Sequence, residues 1–242
     1  MKTLSKILLP AAALTLLCAT HEPPKPSKPS SPTAAHLVEA PADAVAVGAA
    51  TANVTGPGLF GMRWNPCKPI TYRVNARGGY AGSVADVRRA FARVSAVTGV
   101  PFVYRGTTSR IAFRTNPDPR ADITVSWATP AQVPQLRGAV AGLASTTYVV
   151  HGERGVRENV RGQIALDRTA SLRRGFTTSG PATWGQVYLH EIGHVMGLDH
   201  VGQRTQVMYP SVGAANHRYG AGDLRRLRAV GRAAGCIRSS VR

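Results

Sequence analysis

The stretch His190-Glu-Ile-Gly-His-Val-Met-Gly-Leu-Asp-His200 constrains this chain more than any other, because it demands a helix, a reversal and a point of convergence in quick succession. On a helix, positions i and i+4 lie one above the other, so His190 and His194 present two imidazoles to one point. Gly197 suits the left-handed geometry that stops a helix, and a chain that turns back there brings His200 to the same point. Three ring nitrogens with a fourth direction left open for water form a set that favours Zn2+. Glu191 stays outside the ligand set yet near enough to take a proton from a water at the ion, which makes it the candidate general base. Chance is no competitor: with 7 His in 242 residues, random placement yields HExxH only ~0.004 times per chain, before the glycine and third histidine are required.

The rest of the chain has to frame that segment. Within residues 69–75, Ile70, Tyr72 and Val74 alternate, which is a strand pattern. Over residues 83–98, Val84, Val87, Phe91, Val94 and Val97 recur at steps of three and four while Arg88, Arg89 and Arg93 face elsewhere. That spacing predicts an amphipathic helix stopped by Gly99. Residues 101–105, 122–127, 143–150 and 163–167 read as four further strands. Residues 181–197 read as the helix carrying the histidines, and 223–234 as a last helix with Leu224, Leu227 and Val230 inward. Strand, helix, four strands, helix, helix suits an α+β or α/β unit, sandwich-like, with a twisted five-stranded mixed sheet, mostly parallel, and its helices on one side.

Ahead of this domain the composition changes. Lys2 and Lys6 introduce an apolar run over residues 7–17 that is too short to span a bilayer, so residues 1–19 read as an export signal. Secretion is the expectation. The alternative is a lipid anchor through Cys18, which ends the run where a lipoprotein cysteine would lie, although Leu17 is larger than such sites prefer. Residues 20–60, rich first in Pro, Ser and Lys and then in Ala and Gly, read as a disordered spacer or propeptide, and 61–242 as the folded domain. The domain keeps Cys67 and Cys236, an even pair for which a disulfide is expected in an oxidising compartment, the alternative being two buried thiols. Closing a loop of roughly 170 residues stabilises by about 5 kcal/mol in the chain-entropy picture.

With Val207-Met208-Tyr209-Pro210 following it, the histidine segment resembles the metzincin metallopeptidases, whose pattern is HExxHxxGxxH and then a methionine turn. Gly197-Leu198-Asp199-His200 and the Met-Tyr-Pro sequence look most like the matrixin branch. The resemblance covers about Cys67 to Cys236 and is strongest across 190–210. It implies a catalytic domain with an active-site helix and a C-terminal helix after the methionine turn, one catalytic Zn2+, and hydrolysis of a protein or peptide substrate. Met208 would lie beneath the metal. Residues 143–150 would be the edge strand that pairs antiparallel with an extended substrate. Residues after Met208, with Gln186 and Val187, would line the pocket for the side chain following the scissile bond. One departure matters: no PRCGxPD segment is present, so latency through a leader thiolate on zinc is not supported.

The remaining polar residues receive plain readings. Asp199 orients a ligand or caps a turn, Asp223 starts the last helix with its charge at the positive end, and His151 and His217 belong to ordinary packing. Carboxylates are scattered singly, so neither a structural Ca2+ nor a second Zn2+ is expected. The chain carries 30 Lys+Arg against 12 Asp+Glu, a formal charge of +18, which admits an acidic cell-wall or matrix polymer as a partner. Its basic residues are spread instead of gathered, and no Walker loop, GxGxxG or RNA-binding aromatic signature occurs, so no specific nucleic acid is expected. A monomer is expected. The alternative function is a zinc-stabilised cationic binding or adhesion module without proteolytic activity, whose binding would survive loss of Glu191.

Overall fold

A computed structural model of the protein describes residues 5–8, 59–152 and 155–238. Residues 20–58 of the spacer and Cys18 lie outside the described residues, and so does the leader apart from one short strand, β1 (Ser5–Leu8), whereas Leu59 and Phe60 at the spacer's end are bonded to Leu198 and Gly197. The domain proper runs β2 (Ile70–Asn75), α1 (Ser83–Thr98), β3 (Phe102–Thr107), β4 (Ile123–Ala128), β5 (Val140–His151), β6 (Val156–Asp167), α2 (Trp184–Met196) and α3 (Ala221–Val230), with a 3-10 turn at Arg232–Ala234. The sheet order is β1-β5-β6-β4-β2-β3. The pairs β2 with β3, β2 with β4 and β4 with β6 are parallel, and β5 is antiparallel to β6. The expected five-stranded mixed sheet is thus present, and Ser5–Leu8 adds to it antiparallel along the outer edge of β5.

Alternation along the strands sorts the side chains into two layers. Ile123, Val125 and Trp127 of β4 join Ile164 and Leu166 of β6 in the main core, which α1, α2 and α3 cover. The intervening Ala128 and Ala165 join Leu143 in a smaller cluster on the opposite face, closed by Leu136, Ile111 and Phe113 from loops. The α1 stripe of Val87, Phe91 and Val94 is buried as its spacing predicts, and Phe91 stacks on Tyr72 of β2 at 4.0 Å between ring centroids.

Boundaries move where side-chain bonds decide them. The histidine helix starts at Trp184, not at 181, because Thr183 caps it: Thr183 Oγ1 accepts from Gln186 N–H and Gln186 Oε1 accepts from Thr183 N–H. The last helix begins two residues early, at Ala221, and ends at Val230, with Gly231 breaking it before the 3-10 turn. A disulfide joins Cys67 to Cys236, and Asn65 bonds Ile237 through both amide groups, at 2.6 and 3.2 Å. The two ends of the described domain are therefore fastened together behind α2.

One buried carboxylate braces the start of β4. Asp118 accepts from Arg73 at 3.1 Å and from Arg120 at 3.2 Å. Burial works to raise the Asp118 carboxyl, but hydrogen bonds from Thr108 and from the main chain and side chain of Arg120 outweigh it and hold the group well below the usual carboxylate range. A folded-state pKa below the unfolded one contributes stability above the unfolded value, about 4, and that contribution is lost as pH falls through the folded value. Asp118→Asn should therefore lower the unfolding free energy by about 3 kcal/mol at neutral pH. The deficit should shrink steadily below about pH 4, which urea titrations across that range would read.

Candidate metal centre

Helix α2 is buried along its whole length, so its polar side chains had to find internal partners or a ligand. His190 and His194 sit one turn apart as the spacing requires. Gly197 ends the helix at φ 109°, and its N–H closes on Gly193 and His194 carbonyls. The reversal carries His200 back so that one ring nitrogen from each of His190, His194 and His200 lies within 4.8 Å of the other two.

Main-chain carbonyls fix how the rings point. His190 Nδ1–H donates to Val207 O at 2.6 Å and His194 Nδ1–H donates to Leu198 O at 2.8 Å. A carbonyl can only accept, so the protons belong to Nδ1 and each Nε2 presents a bare lone pair. Those two lone pairs face one another, with His194 Nε2 2.7 Å from His190 Nε2, and His200 Nε2 lies 3.1 Å from His190 Nε2. Such a set repels itself unless a cation sits among the nitrogens. Tetrahedral Zn2+ with Zn–N bonds of about 2.05 Å needs nitrogens about 3.3 Å apart, so an ion would open the two short pairs by up to roughly 0.6 Å while the third, within 4.8 Å, adjusts to match. Burial, with His200 nearby, drives the His190 pKa down to about 3, and burial beside His190 and His200 takes His194 well below the usual imidazole range. Neutral rings are the form a metal binds.

Glu191 lies on the same helix with no exposed surface, and neither carboxylate oxygen has a hydrogen-bond partner. Its carboxyl rests against Gly142 of β5, where a β-carbon would come within 2.6 Å of Glu191 Oε1. Burial raises this carboxyl well above the ordinary range. A buried carboxylate without a partner, one residue along the helix from the first of three converging histidines, has the chemistry to accept a proton. Met208 closes the floor: it is wholly buried, and a β-carbon on Gly193 would meet its sulfur at 2.4 Å.

The family profile described as Matrixin matches residues 63–226. The chain belongs to the matrixin family. It is a metalloendopeptidase of the matrixin type, a class that uses catalytic zinc and acts on protein or peptide substrates. A comparison with curated proteins finds no match.

In this matrixin several supports of the site come from residues whose part the sequence did not reveal. Asp223 does start the last helix, accepting from Gly220 N–H at 3.0 Å, but it also reaches back to Val207 N–H at 2.6 Å and so holds the methionine turn. Asn216 accepts from Gln186 Nε2 at 2.9 Å and donates to Ser211 O at 2.8 Å, tying the loop after Met208 to α2. Gln186 is thus committed to bracing, and Val187 lies in the core, so neither offers its side chain to a pocket as the resemblance implied. Trp64 Nε1–H donates to Val195 O at 2.8 Å, capping the far end of α2 from outside. Asp199 caps its turn by accepting from His200 N–H at 2.7 Å. His217 is packed away, bonded to Gly180 O and Thr177, and His151 pairs with Glu158 at the far end of the β5–β6 hairpin. No local pattern in the sequence marks Asn216 or Trp64 as a support.

Proposed function

We propose that this matrixin is exported and cleaves peptide bonds within a chain, with His190, His194 and His200 holding one zinc ion and Glu191 as the general base. The observation that carries the reading is the convergence of one nitrogen from each of three histidines together with a buried carboxylate whose oxygens bond nothing. When bound, the zinc ion supplies a Lewis acid that polarises the scissile carbonyl and eases deprotonation of a water. Glu191 takes the proton from the attacking water and delivers it to the departing amine, and the apolar wall around its carboxylate keeps its basicity high. His190 and His194 are held in one tautomer by Val207 O and Leu198 O throughout. Met208 keeps water out from below.

The edge of β5 supplies the substrate track. Its backbone accepts an extended antiparallel segment already, since Ser5–Leu8 pairs along it with Ile7 opposite Gly142, the residue against which Glu191 rests. A substrate in the same register passes directly before the base, with main-chain bonds providing hold and side chains alternating in and out. The Cys67–Cys236 disulfide and the leader over residues 1–19 support work outside the cytoplasm, either free or tethered through Cys18. The binding-module alternative leaves the buried, unpartnered Glu191 without a purpose.

Cleavage of a diverse peptide library tests the reading. A strong chelator should abolish turnover, and stoichiometric Zn2+ should restore it while Ca2+ does not. Cleavage that continues in the chelator, or no cleavage by zinc-loaded protein, overturns it.

A further inference from the structure

None of the eight carboxylates among the described residues is exposed, whereas eighteen arginines are. Each carboxylate is turned inward to cap a turn, brace a loop or serve the site, as Asp118, Asp223 and Glu191 do. An indifferent solvated surface mixes both signs. Among the described residues, the fully exposed charges here are of a single sign.

Part of that charge is also gathered and held. Arg93 on α1 lies over the Phe176 ring at 4.0 Å, and Arg174 lies over the Tyr80 ring at 5.5 Å. The Tyr80 hydroxyl donates to buried Asp86, which also takes Arg89, and it accepts from Gly175 N–H at 3.3 Å. The Arg168 side chain lies across Gly78, next to Arg77. Residues 77–93 and 168–176 therefore share one face bearing Arg77, Arg89, Arg93, Arg168, Arg173 and Arg174. Cation–π contact with a ring restrains two of these guanidinium groups, so less freedom is lost when their forked N–H groups grip a carboxylate.

The face adjoins the metal centre without belonging to it. Arg173 O accepts from Trp184 N–H at the first turn of α2, at 2.9 Å. Farther along the same loop, Gly180 O accepts from His217 Nε2–H at 3.0 Å, joining it to the segment after Met208. A chain bound at this face is thereby delivered to the cleft as a tethered neighbour, at raised effective concentration.

We propose that this arginine face is a docking surface for an acidic stretch of the polypeptide substrate, engaged outside the cleft while another segment of the same chain lies at the metal. The inference rests on the peptidase reading above. Carboxylate side chains on a flexible polypeptide match the forked donors, and only a polypeptide links docking to cleavage.

The test compares one cleavable core peptide carrying either a run of Asp and Glu or a neutral Ser/Gly run of the same length. Zinc-loaded wild type should cleave the acidic form with KM lower by about tenfold and kcat unchanged, a gap that closes as salt rises. The triple variant Arg93→Gln, Arg173→Gln, Arg174→Gln should lose that gap while cleaving the neutral peptide normally, which also shows that it is folded. A control removing equal charge elsewhere, Arg225→Gln, Arg228→Gln, Arg238→Gln, should keep the gap. In parallel, fluorescence anisotropy follows the acidic peptide on Glu191→Ala protein, where no cleavage occurs, with single-stranded DNA as competitor. Cleavage without acidic preference, or equal loss in both triple variants, overturns the docking surface alone. Tighter patch-dependent binding of the DNA assigns the face to phosphate polymers and overturns it as well. Patch-dependent peptide binding by a protein that cleaves nothing upholds the surface and removes the peptidase reading.

Discussion

Glu191→Ala should retain one zinc per chain and lose about 10³- to 10⁴-fold in kcat/KM on any peptide the wild type cleaves, which is about 4 to 5.5 kcal/mol of transition-state stabilisation. The three ligands stay in place because their supports do not pass through Glu191: His190 and His194 hang on Val207 O and Leu198 O, and His200 follows the Gly197 turn. Only the proton acceptor is removed. The same change should raise the melting temperature, since a carboxylate with no exposed surface and no hydrogen-bond partner opposes folding. A gain in stability with a collapse in turnover distinguishes a poised base from a packing residue, whose loss would cost both. Glu191→Gln, which keeps the shape against Gly142, should match the alanine variant in turnover. The measurements are metal content, kcat/KM and a thermal melt. A variant that cleaves at the wild-type rate sinks the assignment.

The clustering of His190, His194 and His200 is legible in the sequence because every constraint on it is local: i and i+4 on one helix, a glycine that reverses the chain, and a third histidine three residues on. The strand count and the burial of the α1 stripe are legible for the same reason, as short-range periodicity. Strand ends are not. Residues 143–150 and 163–167 become Val140–His151 and Val156–Asp167, because Thr146, Asn159 and Arg161 blur the alternation and only the pairing partner across the hairpin extends it. The supports of the metal centre are equally hidden. Trp64 reaches Val195 across 131 positions of sequence, and Asp223 reaches Val207 across 16, and neither bond leaves a periodic trace. Charge shows a similar split: the sequence reports an excess of arginine, whereas the inward turn of every described carboxylate exists only in the fold.

The hinge between the second and third ligands is where a single methyl group should do most harm. Gly197 holds φ at 109°, a conformation that strains any residue with a β-carbon, and a β-carbon there would lie 2.3 Å from the carbonyl oxygen of Met62. That oxygen is backbone, fixed in the segment that pairs Leu59 with Leu198 and donates from Phe60 N–H to Gly197 O at 2.9 Å, so it cannot swing aside like a side chain. In Gly197→Ala the turn itself has to move. Leu198 O then leaves His194 Nδ1, and His200 is displaced with it. We expect a loss of about 3 kcal/mol in stability, a fall of roughly 6 to 12 °C in Tm, and zinc affinity weakened by about 100-fold. Gly202→Ala, where a β-carbon meets nothing within 4 Å, should change neither quantity and serves as the control. Zinc titration against a competing chelator together with calorimetry would decide the matter. Wild-type affinity in Gly197→Ala would mean that His200 reaches the ion by a route other than this turn, and the ligand set would have to be redrawn from the pair on α2 outward.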